Sequence, residues 1–572
     1  MPLRGTIGNE NAFAPLRLCV SYIQVGTLTM SRQKIAIIGW DSATFDVVLP
    51  LAEAGALPNL SRLMARGAWG KLRSTIHPLS PTAWASFMTG TNPGQHGVYD
   101  FVCLGRNGQF QVSNGGQVAQ PSLWAQLSAH GRRVAVLNVP MTYPPAQVNG
   151  YLVAGMDTPF GARDYTFPRE LLAQIEATAG PYVIDLPVRG APWQSIQQFT
   201  AEYVRKLCAS VEQQAEVVRH LATQDDLDFF TAVFTAPDRV QHALGHLLAQ
   251  GVTPEDGIGR VYQACDAATG RILEALGDDW VVLLMSDHGA CAYSQVFEPN
   301  AWLQQRHLLT MQPAPRWQPL ADLMAPVQRR VALRTGWVRP PRSHLERHLS
   351  RIDWSRTQAF AVGAFGSIYV NDRSRFGHGR GIVEPGRAVD ALCDEIGKGL
   401  LALKDPETSA PMVRAVYRSR DIYSGDQARW APDLLLDVHE DYFVRNALDH
   451  QQGPLVVPAA RYGGRSLAHT GRHTMDGILV AAGVPFQAGA NHAPAAIIDL
   501  APTVLYLNGL PVPAAMDGRP LLDWLEAGYV TQHPVVQQAA ADHAAPAEAD
   551  SAYTVRDAAI VEQHLRSLGY LN

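Results

Sequence analysis

Asp287 and His288 stand directly after the apolar run Trp280-Val281-Val282-Leu283-Leu284-Met285, so two metal-type ligands adjoin a buried-strand pattern. Three further places repeat this arrangement. Asp41 follows the apolar run 34–39, Asp238 and His242 follow a run that ends near Phe234, and His473 precedes the run 477–482. A spacing of four puts Asp238 and His242 on one face of a helical turn. Three Asp and three His would supply two sites of three protein ligands each, and each site would keep a position open for substrate, as catalytic zinc requires. Taken singly, each residue has a plainer use, as a turn cap or as a surface i,i+4 pair. Their joint occurrence beside strands is what points to chemistry.

The segment Leu79-Ser80-Pro81-Thr82-Ala83-Trp84 adds a hydroxyl. Ser80 is a favoured N-cap residue, and Pro81 suits the first helical position because no N–H is needed there. A hydroxyl at a helix N-terminus faces N–H groups and the positive end of the dipole, which stabilise a phosphate anion. A metal beside it would lower its pKa and create a nucleophile at neutral pH. Thr82 is the rival nucleophile, inside the first turn and pointing less directly along the axis.

These residues need elements to hold them. Residues 34–39 read as the first strand. A short helix is predicted near 60–65, with Asn59 as N-cap and Gly67 near its end, and another over 122–130, capped by Ser122 and closed by Gly131. Strand 133–139, a long amphipathic helix 201–223, strand 228–234 and a second long helix 257–276 lead into the strand before Asp287. Such alternation predicts an α/β fold with a mostly parallel central sheet and helices on both faces. In such sheets ligands bind at the carboxyl ends of the strands.

Between 303 and 460 Arg and Pro become frequent (Arg329-Arg330, Arg339-Pro340-Pro341-Arg342) and the helix–strand rhythm is lost. This segment is expected to be an inserted cap that shapes the substrate pocket, the core comprising 34–302 and 461–529. The core resumes with strand 477–482 and helix 500–507, which Gly509 closes. Residues 1–33 read as a disordered leader. Residues 530–572 read as a linker, Ala-rich and polar over 537–550, followed by a terminal helix 555–568.

Composition narrows the function classes. With 572 residues and 47% hydrophobic content the chain can bury a large core. A net charge of −5 and the lack of any long Lys/Arg block argue against stable nucleic-acid binding. No apolar stretch approaches the ~18 residues needed to span a bilayer. The six cysteines form no C-x-x-C pair, so they read as thiols in a reducing compartment and leave metal binding to imidazole and carboxylate. A cytoplasmic location is the resulting expectation, with export through the N-terminal segment the alternative.

The motifs resemble the alkaline phosphatase superfamily, specifically the type I phosphodiesterase/nucleotide pyrophosphatase family. The matching residues are Ile37-Ile38-Gly39-Trp40-Asp41, Ser80-Pro81-Thr82-Ala83-Trp84 through Thr89-Gly90-Thr91-Asn92-Pro93-Gly94-Gln95-His96-Gly97, Asp238-x-x-x-His242, Ser286-Asp287-His288-Gly289 and His473-x-x-x-Gly477. The resemblance implies two divalent metal ions, usually zinc, with manganese the alternative. One would be held by Asp238, His242 and His473. The other would take Asp41, Asp287 and His288, with Ser80 as its nucleophilic ligand. It also implies a small-molecule phosphate ester as substrate, a nucleotide among the candidates. Many relatives carry Thr where Ser80 stands and Gly where Ser42 stands. His96 belongs to the motif and reads as a loop-packing residue.

The activity expected is therefore phosphodiester or pyrophosphate hydrolysis through a Ser80 phospho-enzyme. A phosphomonoesterase or phosphonate hydrolase on the same metals is the alternative, and a non-catalytic metal-binding scaffold is the alternative of another class. A sulfatase is disfavoured because Trp84 stands where that family's signature needs Arg.

Overall fold

Val134–Val139, Phe229–Phe234 and Trp280–Met285 are apolar but for Asn138 and Thr231, and every residue of the three runs is buried. Strands of this composition have no solvent side and belong in the middle of a sheet covered on both faces. The computed structural model describes residues 32–187, 195–224, 226–313, 344–377, 380–448, 453–461, 470–489, 492–539 and 553–571. In chain order the strands of its central sheet are β1 (Lys34–Trp40), β2 (Ala68–Arg73), β3 (Val134–Val139), β4 (Gly150–Ala154), β5 (Thr166–Phe167), β6 (Phe229–Phe234), β7 (Trp280–Met285), β8 (Asp476–Ala482) and β9 (Ala495–Ala496). Across the sheet they lie in the order β9-β2-β8-β7-β1-β6-β3-β4-β5. β7, β1, β6, β3 and β4 are parallel, while β8 runs antiparallel between β7 and β2, and β5 antiparallel at the far edge. The mostly parallel α/β sheet expected from the alternation is borne out.

Register decides where the site lies. Gly39 of β1 is level with Met285 of β7 on one side and with Val233 of β6 on the other. The three strands therefore end together, and Asp41, Asp238 and Asp287 leave the sheet at one rim.

The helices that position the site are α1 (Ser80–Thr89), α2 (Ile196–Gln224), α3 (Ala236–Leu244), α4 (Gly257–Leu276), α5 (Arg387–Leu401) and α6 (Val555–Ser567). α4 begins where the sequence says it should, because the Asp256 carboxylate accepts the Gly259 N–H at 2.8 Å. It ends at Gly277, whose φ of 80° favours glycine.

The predicted helix near 60–65 spans Pro58–Arg66, and Asn59 is not its cap. Its N-terminal donors go instead to Asp266 on α4, which accepts Leu60 N–H at 2.8 Å and Asn59 N–H at 3.1 Å. A carboxylate from a packed neighbour replaces the local cap, which spacing along the chain could not reveal.

The segment 303–460 is more regular than its composition suggested. Ala359–Ala361, Ser367–Val370, Leu434–Val438 and Val413–Arg418 form a second, antiparallel sheet with α5 beside it, over a hydrophobic cluster that includes Phe360, Ile368, Tyr369, Ile396, Leu434 and Leu436. The leader up to residue 31, the Arg-rich stretches at 329–330 and 339–342, and 540–550 of the Ala-rich segment lie outside the described residues. Among the described residues no helix is long and apolar enough to cross a membrane.

Candidate metal centre

Asp41 follows β1, Asp238 and His242 sit on α3 directly after β6, and Asp287-His288 follow β7. His473 arrives from the strand Gly471–Thr474, which pairs antiparallel with Gly289–Ala292 so that His473 lies opposite Ala290. All six side chains predicted as ligands are buried, as is Ser80. The structure brings them together. His473 Nε2 is 3.1 Å from Asp238 Oδ1 and 2.8 Å from His242 Nε2, and His242 Nε2 is 3.3 Å from Asp238 Oδ1. His288 Nε2 is 3.1 Å from Asp287 Oδ2, 4.0 Å from Asp41 Oδ1 and 3.2 Å from Ser80 Oγ.

Proximity alone draws the sets differently from the resemblance, placing His288 both with Asp238 and His473 and with Asp41 and Asp287. His288 stacks on His473 with ring centroids 3.6 Å apart, so it stands between the two groups. Its Nε2 nevertheless points at Asp287 and Ser80, which favours the second set.

The far side of each imidazole shows what the near side is for. His242 Nδ1 is 3.0 Å from Gly471 O, His473 Nδ1 is 2.8 Å from Pro78 O, and His288 Nδ1 is 3.2 Å from Gly289 O. A carbonyl can only accept, so each Nδ1 carries a proton and each Nε2 is the atom turned into the cluster. Burial, then the neighbouring His473, holds His288 well below the usual imidazole range, and burial lowers His473 too. His288 and His473, kept from protonation in this way, face carboxylates at these distances lone pair against lone pair. Asp41 Oδ1 and Asp287 Oδ2 are buried with no hydrogen-bond partner among the described residues. Burial, followed by the charges of Asp287 and Asp238, pushes the Asp41 carboxyl well above its ordinary range. Burial likewise pushes Asp287 up to about 7. Such a donor set fits divalent cations. Ligands at ~2.0–2.1 Å around a tetrahedral ion lie about 3.3 Å apart, close to the separations within the Asp238, His242 and His473 set.

The remaining oxygens are held from outside. Asp41 Oδ2 accepts the Trp84 indole N–H at 3.3 Å, and Asp287 Oδ1 accepts the Ser42 backbone N–H at 3.1 Å. Ser42 has φ 65°, a conformation that suits glycine, and its contribution to Asp287 comes from the main chain. Gly39 is needed for another reason: a Cβ there would meet Trp84 Cη2 at 2.8 Å, so only glycine lets the indole lie across β1.

Ser80 is not an N-cap. Leu79 occupies that position, and Ser80 is the first residue of a helix buried along its whole length. Its hydroxyl is thereby spared from capping and faces His288. Thr82 Oγ1, the rival, is buried without a hydrogen-bond partner among the described residues. His96 donates from Nε2 to Ser86 Oγ at 2.8 Å, since its Nδ1 accepts the Val98 N–H; it braces α1 and stays away from the cluster.

Two participants escaped the sequence analysis as site residues. Trp84 was considered only for excluding a sulfatase. Tyr570, from the C-terminal tail, places its hydroxyl 2.9 Å from His242 Nε2, 3.0 Å from Asp238 Oδ2 and 3.2 Å from His473 Nε2. It lies 97 positions after His473 with no motif around it, so no local signal could have found it.

A cavity of about 260 Å³ adjoins His473 and is lined by Arg73, His77, Phe365, Arg414, Tyr417 and Arg472, among others. A larger one of about 690 Å³, between α2 and the start of α4, touches none of the cluster residues.

The chain is a hydrolase of phosphoric esters, a class suited by a mostly parallel sheet whose strand ends carry a carboxylate–imidazole cluster around a serine. The chain belongs to the type I phosphodiesterase/nucleotide pyrophosphatase family, whose profile it matches over residues 35–476. No curated protein matches it significantly. Among solved structures it is similar to human ectonucleotide pyrophosphatase/phosphodiesterase 5, at 13% identity and TM-score 0.48 over 86% of this chain and 100% of that one. It is similar to phosphonoacetate hydrolase from Sinorhizobium meliloti 1021 at 14% identity and TM-score 0.49, over 84% and 96% of the two chains. A multiply substituted alkaline phosphatase PafA aligns at 14% identity and TM-score 0.48, over 87% and 99%.

Proposed function

We propose that this hydrolase cleaves a small-molecule phosphodiester or nucleotide pyrophosphate through a covalent Ser80 intermediate. Two divalent cations, zinc or else manganese, would be held by Asp238, His242 and His473 and by Asp41, Asp287, His288 and Ser80, and when bound they supply the positive charge that neutralises the phosphoryl oxygens. The observation that carries this reading is the convergence of imidazole and carboxylate lone pairs on a space that Ser80 Oγ also borders.

Ser80 Oγ attacks phosphorus and the leaving alcohol or phosphate departs. Water then cleaves the bond between Ser80 Oγ and phosphorus, releasing the remaining half of the substrate as a phosphate monoester and restoring the hydroxyl. The first turn of α1 favours the phosphoryl anion through its dipole. Trp84 and the Ser42 N–H keep Asp41 and Asp287 turned inward. The cavity beside His473 carries charges of both signs, Arg73, Arg414 and Arg472 with Asp437 and Glu440, and the segment 303–460, which supplies several of its walls, shapes the leaving-group pocket. Cys103, Cys208, Cys265, Cys291 and Cys393 are free thiols, which supports a reducing, cytoplasmic setting.

The test is quenched turnover of bis(4-nitrophenyl) phosphate followed by peptide mass spectrometry. A 4-nitrophenylphosphoryl group on Ser80 is expected, together with loss of turnover on the order of 10⁴-fold in Ser80→Ala at unchanged metal content. Label on Thr82, or full activity in Ser80→Ala, would refute the assignment.

A further inference from the structure

The chain end is not a loose appendage. Tyr553, Val561, Leu565, Leu568 and Tyr570 all belong to the main hydrophobic core. Polar contacts fasten the same segment. Tyr553 donates its hydroxyl proton to Asp157 O, Glu562 accepts the Leu345 N–H at 3.0 Å, and His564 donates to Asp185 at 2.8 Å. Asp185 also binds the buried Arg239, which reaches Asp238. The Tyr570 ring stacks on Phe101 with centroids 4.2 Å apart, so the phenol is aimed rather than trailing.

Its hydroxyl lies beside three of the predicted ligands, 3.0 Å from Asp238 Oδ2, 2.9 Å from His242 Nε2 and 3.2 Å from His473 Nε2. A phenol has one proton to donate, so it can satisfy one of the three, whereas a cation beside the phenolic oxygen would engage them all. The distances also resemble those among the three ligands themselves, which lie 2.8–3.3 Å apart. The oxygen therefore stands beside the set, close to both Nε2 atoms and to the second carboxylate oxygen of Asp238.

We propose that Tyr570 is a further ligand of the cation held by Asp238, His242 and His473, so that the C-terminal tail completes the metal centre. This rests on the two-metal reading given above. The test uses the full-length chain and its Tyr570→Phe variant, titrated with zinc against a chromophoric chelator and examined as cobalt(II) forms by visible absorption. Phenylalanine keeps the stack on Phe101, and an unchanged urea midpoint of the metal-free protein serves as the folding control.

Wild type is expected to bind two ions. Tyr570→Phe should bind one of them about 10–100-fold more weakly, with an altered cobalt ligand-field spectrum for that ion alone. Two ions at wild-type affinity with an unchanged spectrum would overturn the proposal and leave Tyr570 a hydrogen-bonded neighbour. A wild-type chain that binds no zinc would overturn the two-metal reading together with it.

Discussion

His242 and His473 hold their Nε2 atoms 2.8 Å apart while each ring keeps its Nδ1 on a backbone carbonyl, Gly471 for one and Pro78 for the other. A cation shared between the two Nε2 atoms accounts for this approach. His473→Ala should therefore reduce bound zinc from two ions per chain to one. Metal analysis after gel filtration checks this, with the affinity for the lost ion falling by more than about 100-fold. Retention of both ions would show that His473 is structural.

Under the proposed two-metal reading, Trp84 acts on the metal centre through Asp41. Trp84→Phe keeps a ring against β1 but removes the N–H that binds Asp41 Oδ2 at 3.3 Å. Affinity for one ion should fall about 10–100-fold, and the smaller ring should cost about 1–3 kcal/mol of stability. Chelator competition and urea unfolding separate the two effects, and an unaltered metal affinity would limit Trp84 to packing.

Ser42 serves Asp287 through its backbone N–H, so its side chain should be dispensable. Ser42→Gly is expected to keep turnover and metal content within about twofold. Stability should stay within about 1 kcal/mol, because relief of the left-handed conformation offsets the greater freedom of glycine in the unfolded chain. A large loss of metal would mean that the hydroxyl contributes directly.

Asp100 supplies a pH signature away from the metal ligands. Its Oδ2 accepts the Ala364 N–H at 2.9 Å, and burial pushes its carboxyl up to about 8 despite that bond and two more from Phe101 and Val102. The folded state then holds a proton that the unfolded chain, with an ordinary value of 3.8, releases. This contribution is full below the unfolded value and is lost as pH rises through the folded one. Relative to Asp100→Asn, wild type should lose stability steadily between about pH 4 and pH 8 and level off above. Parallel unfolding curves of the two proteins across that range would contradict the assignment.

Much of the architecture was legible because it is local. The strand Trp280–Met285 and the helix Gly257–Leu276 appear with the bounds their apolar periods dictate, since short-range pattern and caps set them. Elements whose ends are satisfied from afar were misplaced. Asn59 looked like a cap because nothing nearby announces that Asp266 does that work. The second sheet was missed because its three- to six-residue strands alternate too briefly to give a period.

Ligand types and their places beside strands could be read from the chain, because carboxylate and imidazole chemistry travels with residue identity. Their grouping could not. His288 lies between two sets, Ser80 surrenders the cap to Leu79, and Tyr570 enters from the opposite end of the polypeptide. Contacts between residues hundreds of positions apart carry no imprint on local pattern, and only the packing of the sheet, α1 and the tail brings those atoms within bonding distance.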